Sequence, residues 1–245
     1  TYCKSSARPP LFTLINSTSH TLHSFTQLSH YIYHKSSKYT TFVWIFIFDT
    51  MNRLYTSLVA LLEMKKTDRT AVCLLVDKEE IGSVGISGMK SHYFEHFVGG
   101  LCDAQGVKLE DCFANSFCLS ADVSNAHDPN FPEVSDRRNN SALNYGIAIC
   151  KYTGARGKSG ASDAAAEAMG HIRTTFGKAG VQWQIATLGK VDVGGGGTVA
   201  AYMANRNIVT VDAGVPVLSM HAPLELVSKL DCYMTMLACK AIYLA

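Results

Sequence analysis

No stretch of the 245-residue sequence holds about 20 consecutive apolar residues, the length a helix needs to cross a bilayer. The longest strongly apolar run, residues 42–48, reads FVWIFIF. It is aromatic and β-branched and reads as a buried strand, so no membrane partner is expected. No two of the eight cysteines have Cys-x-x-Cys spacing, which argues against a zinc knuckle or a thioredoxin-type redox motif. Several cysteines lie in apolar runs, such as Cys73 in AVCLLV and Cys150 in IAICKY. They read as buried free thiols in a reducing, cytoplasmic compartment. Internal repeats and coiled-coil heptads are also missing.

Charge of either sign is in little excess: 22 Lys and Arg face 20 Asp and Glu, a net of +2. That is too small to make nucleic acid or an anionic membrane the main partner. Residues 1–48 contain no acid at all, only Lys4, Arg8, Lys35 and Lys38. The rest of the chain therefore holds 18 basic and all 20 acidic residues, a net of −2. Residues 1–48 also carry His20, His23, His30 and His34 amid many Ser and Thr. They superficially resemble a transit peptide, but with a single Arg and no clear amphipathic helix. They are expected to form an unassigned leader, disordered or non-native. Residues 49–245 are expected to form the functional domain.

With 47% hydrophobic and 17% charged residues, the chain has a globular composition. Its length allows a large core without disulfides. Leu54, Leu58, Leu61 and Leu62 predict a helix over 51–66. Strands are expected at 70–76, 116–119, 145–152, 182–186 and 207–211, with the segment 215–221 following closely. Further helices are expected at 88–104, at 163–179 behind an N-cap at Ser162, and at 224–244. A long loop is expected at 124–144 and a Gly-rich basic loop at 154–162. Alternating strands and helices imply an α/β fold with a mostly parallel central sheet.

Polar clusters follow the strands, where open α/β sheets place their sites. They offer Asp49, Glu79, Glu80, Asp122 and His221. Carboxylates and an imidazole are the ligand set of a hydrolytic zinc, manganese or cobalt centre. A carboxylate beside such a centre can take a proton from the attacking water. Adjacent Glu79 and Glu80 suit a division of these roles, because neighbouring side chains in a turn point in different directions. Singly, each signal is weak: a Glu-Glu pair is usually a solvated surface feature. The four glycines at 194–197 lack the Lys-Ser/Thr of a P-loop. They read better as places where backbone and substrate approach closely.

Five ordered segments then carry a specific resemblance: DKEEIGSVG at 77–85, SADVSNAHDPNFPEV at 120–134, KYTGARGKSGASDA at 151–164, KVDVGGGGTVA at 190–200 and DAGVPVLSMHAPLE at 212–225. Together they closely resemble the aspartyl aminopeptidase family of zinc metallopeptidases, in its bacterial-type branch, over about residues 49–245. The resemblance implies a three-layer α/β sandwich of the dinuclear-zinc exopeptidase type. It implies hydrolysis that removes N-terminal, acidic (Asp or Glu) residues from peptides with a free N-terminus. Two zinc ions are implied, with manganese or cobalt as alternatives. Glu79 takes the general-base role; Asp49, Glu80, Asp122 and His221 take the metal-ligand roles. Asp49 would bridge, although FDTMNRL around it departs from the family's pattern. Lys151, with Gly195 and Gly196, takes the substrate-binding role, Lys151 reading the acidic side chain. Arg156 and Lys158 are further loop cations, and His127 and Asp128 neighbours of Asp122.

The family's first metal histidine lies in a His-x-Asp motif, and residues 1–48 contain no Asp. The dimerisation domain that the family inserts before its bridging aspartate has no counterpart either. The chain thus reads as the C-terminal part of such an enzyme behind an unrelated leader, as a partial gene model would give. A centre built from Asp49, Glu80 and His221 would be complete; one built on Asp122 would lack its imidazole. Weak hydrolysis and fewer than two tightly held ions per chain are expected. The alternative is an impaired fragment or remnant subunit that folds and binds one metal without turnover. Homo-oligomers are the family habit, and here the missing domain puts assembly in question.

Overall fold

The computed structural model describes the backbone of residues 11–16, 42–46, 49–156, 159–190 and 192–245. Side chains are described from Tyr55 onward, apart from those of 155, 157–159, 161 and 191. Cys3, the four leader histidines, Lys158 and the side chain of Asp49 lie outside the described residues, as do residues 47 and 48 of the apolar run.

Ten strands are described: β1 (Leu11–Asn16), β2 (Phe42–Phe46), β3 (Ala71–Val76), β4 (Phe117–Asn125), β5 (Ile147–Cys150), β6 (Tyr152–Ala155), β7 (Ser159–Asp163), β8 (Trp183–Ile185), β9 (Val209–Leu218) and β10 (Leu224–Ser228). The helices are α1 (Asp49–Leu62), α2 (Tyr93–Asp103), α3 (Leu109–Ala114), α4 (Ala166–Ala179), α5 (Ala200–Ala204) and α6 (Lys229–Tyr243). Eight strands form one sheet along the path β2-β10-β9-β4-β1-β3, with β5 joining β9 and β8 joining β5. β6 and β7 form a separate hairpin. Among the described pairings, β1–β3, β1–β4, β4–β9 and β5–β8 are parallel. The pairings β2–β10, β9–β10 and β5–β9 are antiparallel. The connection from β9 to β10 is too short for a crossover, so β10 must return antiparallel. β1 and β2 precede Asp49 and nonetheless lie in this sheet.

Alternation along the central strands sends core side chains to both faces of the sheet. Phe117 and Leu119 of β4 join Ile147, Ile149, Ile172, Phe176, Val211 and Ile242. Cys118, between them in sequence, joins Val76, Phe94, Val98, Phe113, Met203 and Ile208. The first cluster draws on α4 and α6, the second on α2, α3 and α5. Helix layers thus cover both faces of the sheet, the expected three-layer α/β sandwich. Among the described residues no helix is long and apolar enough to cross a membrane. The seven cysteines from Cys73 on are free thiols, five of them buried.

Several boundaries move. The Ser120-Ala121-Asp122 cluster belongs to β4 and does not follow it. Ser162 lies in β7 and caps no helix; α4 begins at Ala166 with Ala165 at its N-cap. The Gly-rich segment forms the β6–β7 hairpin. The segments expected at 207–211 and 215–221 meet in one long strand, Val209–Leu218, that runs through Pro216. That proline falls where the edge of β9 changes partner. Gly214 is still paired with β5, and Val217 already pairs with β10. A residue without an N–H is tolerated at such a gap. The last helix also begins later, at Lys229, after β10.

Asp231 ties α6 to the loop ahead of β5. It is fully buried, and its two carboxylate oxygens accept the N–H groups of Asn144 (2.8 Å) and Gly146 (2.7 Å). Burial pushes its pKa up to about 6, against the pull of those two bonds. A raised carboxyl pKa favours the protonated folded form. The stability this gives is present at low pH and is lost as pH rises from about 4 through 6. Urea unfolding of wild type and Asp231→Asn at several pH values should therefore show a gap that moves in wild type's favour as pH falls through that window. The shift should be about 1.4 kcal/mol per pKa unit. A gap independent of pH would show that Asp231 does not titrate there.

Candidate functional site

A cleft of about 530 Å³ opens at the carboxyl ends of β3, β4 and β9. Glu79, Glu80, Asp122, Gly196 and His221 all line it. Sheet register explains the convergence. β3 and β4 flank β1 in parallel, so their carboxyl ends face the same way. β9 runs parallel to β4, with Asp122 opposite Gly214, and so carries the turn bearing His221 to the same end of the sheet.

The Glu79–Glu80 segment is a tight turn on the end of β3. The Lys78 carbonyl accepts the Ser83 N–H at 2.7 Å, and the Glu79 carbonyl accepts the Gly82 N–H at 2.9 Å. Asp77 anchors the turn by accepting the Lys78 N–H (2.8 Å) and the Ser87 hydroxyl (3.3 Å). Lys78 and Ser83 both have positive φ, 64° and 59°. This winding leaves Glu79 half-buried and Glu80 exposed at the cleft. Asp122 accepts the N–H of Val123 at 2.7 Å. His221 Nδ1 stands 4.0 Å from Glu80 Oε1.

Zinc binds carboxylate oxygen and imidazole nitrogen at roughly 2.0–2.2 Å, so two ligands of one ion lie within about 4 Å of each other. The Glu80–His221 pair meets that condition, and its donors are of the right chemistry. Among the described residues no group of three His, Cys, Asp or Glu stands ready as a metal cage. Asp49 opens α1, and its side chain is outside the described residues.

Other sequence candidates fall elsewhere. Lys151 does not line the cleft; its ammonium pairs with Asp163 across the base of the β6–β7 hairpin. Gly195, with φ +95°, packs against the chain's own backbone: a Cβ there would lie 2.6 Å from the Gly154 carbonyl oxygen. Gly196 has open space around it and borders the cleft, as close backbone approach requires. Arg156 donates its N–H to the Gly194 carbonyl at 2.8 Å. His127 donates its own N–H to the Ser141 carbonyl at 2.7 Å, and neither His127 nor Asp128 lines the cleft.

Sequence reasoning missed Ser83, Thr198, Tyr202 and Asn205, polar residues that also line the cleft. Lys90 places its ammonium 5.4 Å from the centre of the Tyr202 ring. Tyr202 and its helix α5 were unreadable because five residues carry too little periodicity to stand out. Also missed was Glu225, a buried acid four residues after His221. An acid inside an apolar strand was the available signal.

A mixed sheet between helix layers, with two glutamates, an aspartate and an imidazole around a strand-end cleft, defines an α/β domain suited to a divalent metal. Residues 38–243 match the aminopeptidase I zinc metalloprotease (M18) family. The chain belongs to that family. A probable M18 family aminopeptidase 1 of Clostridium acetobutylicum is 49% identical over 185 residues, covering 74% of this chain and 40% of the relative. The crystal structure of aminopeptidase I from the same organism superposes with a TM-score of 0.80 at 43% identity, covering 86% of this chain and 46% of that one. An M18 aminopeptidase from Thermotoga maritima gives a TM-score of 0.81 at 36% identity, covering 86% and 48%. The chain therefore spans less than half the length of the relatives it matches.

Proposed function

We propose that the cleft is the centre of a metal-dependent aminopeptidase that removes N-terminal, acidic residues from peptides. The observation that carries this reading is the convergence of Glu79, Glu80, Asp122 and His221 on one cleft at the carboxyl end of the sheet. Family membership supports the reaction class, and the family's description as a zinc metalloprotease supports the metal.

Glu80 and His221 would hold one ion together with Asp49, and Asp122 would serve a second. Bound zinc would lower the pKa of water and polarise the scissile carbonyl. Glu79 takes the proton from the attacking water and returns it to the leaving amine. Gly196, without a side chain, lets the peptide backbone run close to the wall. Ser83, Thr198 and Asn205 offer hydrogen-bonding groups around the first residue of the substrate. Lys151 is the cation proposed to read the acidic side chain; it stands outside the cleft lining, so it would have to give up Asp163 and swing toward the cleft to do so. The buried free thiols favour a reducing compartment, the cytoplasm.

The test compares aspartyl, glutamyl and leucyl anilides as substrates of the zinc-loaded chain. Faster turnover of the acidic pair is expected, with the preference reduced about tenfold in Lys151→Ala and the leucyl rate kept. No hydrolysis of any anilide, although zinc is bound, would favour a non-catalytic subunit instead.

A further inference from the structure

We infer that Glu225 is a positioning residue that holds His221 in the conformation from which its ring reaches the cleft. This rests on the reading of His221 as a metal ligand. The turn from β9 to β10 is wound against ordinary backbone preference. Ser219 has φ 58° and His221 φ 65°, and neither is glycine. The left-handed region is unfavourable for residues with a Cβ, so such a conformation persists only where surrounding contacts hold it.

Two contacts do so here. The Ala222 N–H donates to the Ser219 carbonyl at 2.9 Å, closing the turn. The His221 N–H donates to Glu225 Oε1 at 2.6 Å. Glu225 is only 3% exposed, on β10, where backbone pairing with Ile45 of β2 sets its height. A short bond from an N–H to a carboxylate is charge-assisted and stronger than a neutral one. Loss of this acceptor leaves the turn free to relax toward negative φ at His221. The Cα–Cβ bond then swings, and the ring leaves its place 4.0 Å from Glu80.

The role separates from general stability through the size of the replacement. Glu225→Gln keeps an oxygen acceptor at the same reach. Glu225→Asp keeps a carboxylate but withdraws it by one methylene. Two readouts apply to the full chain: amide hydrogen exchange at His221 without metal, and zinc affinity by competition with a chelator. Supporting results are reduced protection of the His221 amide in Glu225→Asp and Glu225→Ala, and zinc affinity lower by on the order of 10–100-fold. Glu225→Gln should remain within a few-fold of wild type on both. If Glu225→Ala does not fold, the Asp and Gln variants carry the comparison alone.

Wild-type zinc affinity in Glu225→Asp would overturn the inference, as would equal loss in Glu225→Gln and Glu225→Asp. His221→Ala is the control for the underlying reading. If it binds zinc as wild type does, the ligand assignment fails and this inference with it. If His221→Ala loses zinc while Glu225→Asp does not, only the positioning role fails.

Discussion

Glu79→Gln is expected to lower aminoacyl-anilide turnover by about 10²–10⁴-fold, to near background, while zinc affinity and melting temperature stay close to wild type. The amide matches the carboxylate in size and still accepts a hydrogen bond, but it cannot take a proton from water. The adjacent residue should behave differently. Glu80 faces His221 at 4.0 Å, so its loss should show first in zinc affinity. The turn gives two neighbouring acids different surroundings, one half-buried and one exposed, along the same cleft. Stopped assays on both variants with metal titrations separate the roles. Undiminished turnover in Glu79→Gln would remove the proposed general base.

Gly214→Ala should cost roughly 3 kcal/mol or more in urea unfolding and should also weaken zinc binding. Gly214 lies opposite Asp122 in the parallel β4–β9 ladder and opposite Ala148 of β5 on its other edge. A Cβ at Gly214 would stand 2.1 Å from the Asp122 carbonyl oxygen and 2.5 Å from its carbonyl carbon. These are backbone atoms in the centre of the sheet, so no flexible side chain can give way. The strand must move, and Asp122 with it. The control is Gly177→Ala, in α4, where an added Cβ meets nothing within 4 Å and where alanine is the better helix former. Its stability should hold or rise. A Gly214→Ala chain as stable as wild type would mean that the two strands are less closely opposed than this register gives.

Much of the site was legible in the sequence because short motifs fix short turns. DKEEIGS follows the apolar strand β3, and the turn it forms is held by bonds among nearby residues, such as those between Asp77 and Ser87. SMH likewise follows β9, where the Ala222 N–H closes a turn on the Ser219 carbonyl. The motif around Lys151 led less far. A basic residue after a strand reads the same whether it faces a cleft or an acid on the next hairpin strand. Its pairing with Asp163, twelve residues on, depends on how β6 and β7 turn back. Strand limits were misread for a related reason. Polar Ser120 and Asp122 resemble a loop, yet β4 continues through them. Ser120 finds the buried Asp212 on β9, donating its hydroxyl at 2.7 Å, and backbone pairing continues to Asn125.

The sequence by itself determined the family, the α/β class, and the identity of the acids and the histidine at the strand ends. These follow from local order along the chain: apolar runs, turn residues and motif spacing. Only the tertiary structure decided which residues share the cleft, that Glu225 holds His221, and that Asp231 is buried. Those facts depend on how segments distant in sequence pair; even Glu225, only four residues from His221, is set in place by the pairing of β10 with β2. Asp122 meets Gly214 across the sheet, and Asp231 meets Gly146 from the far end of the chain. Such contacts are set by strand register and core packing, which no single segment encodes alone.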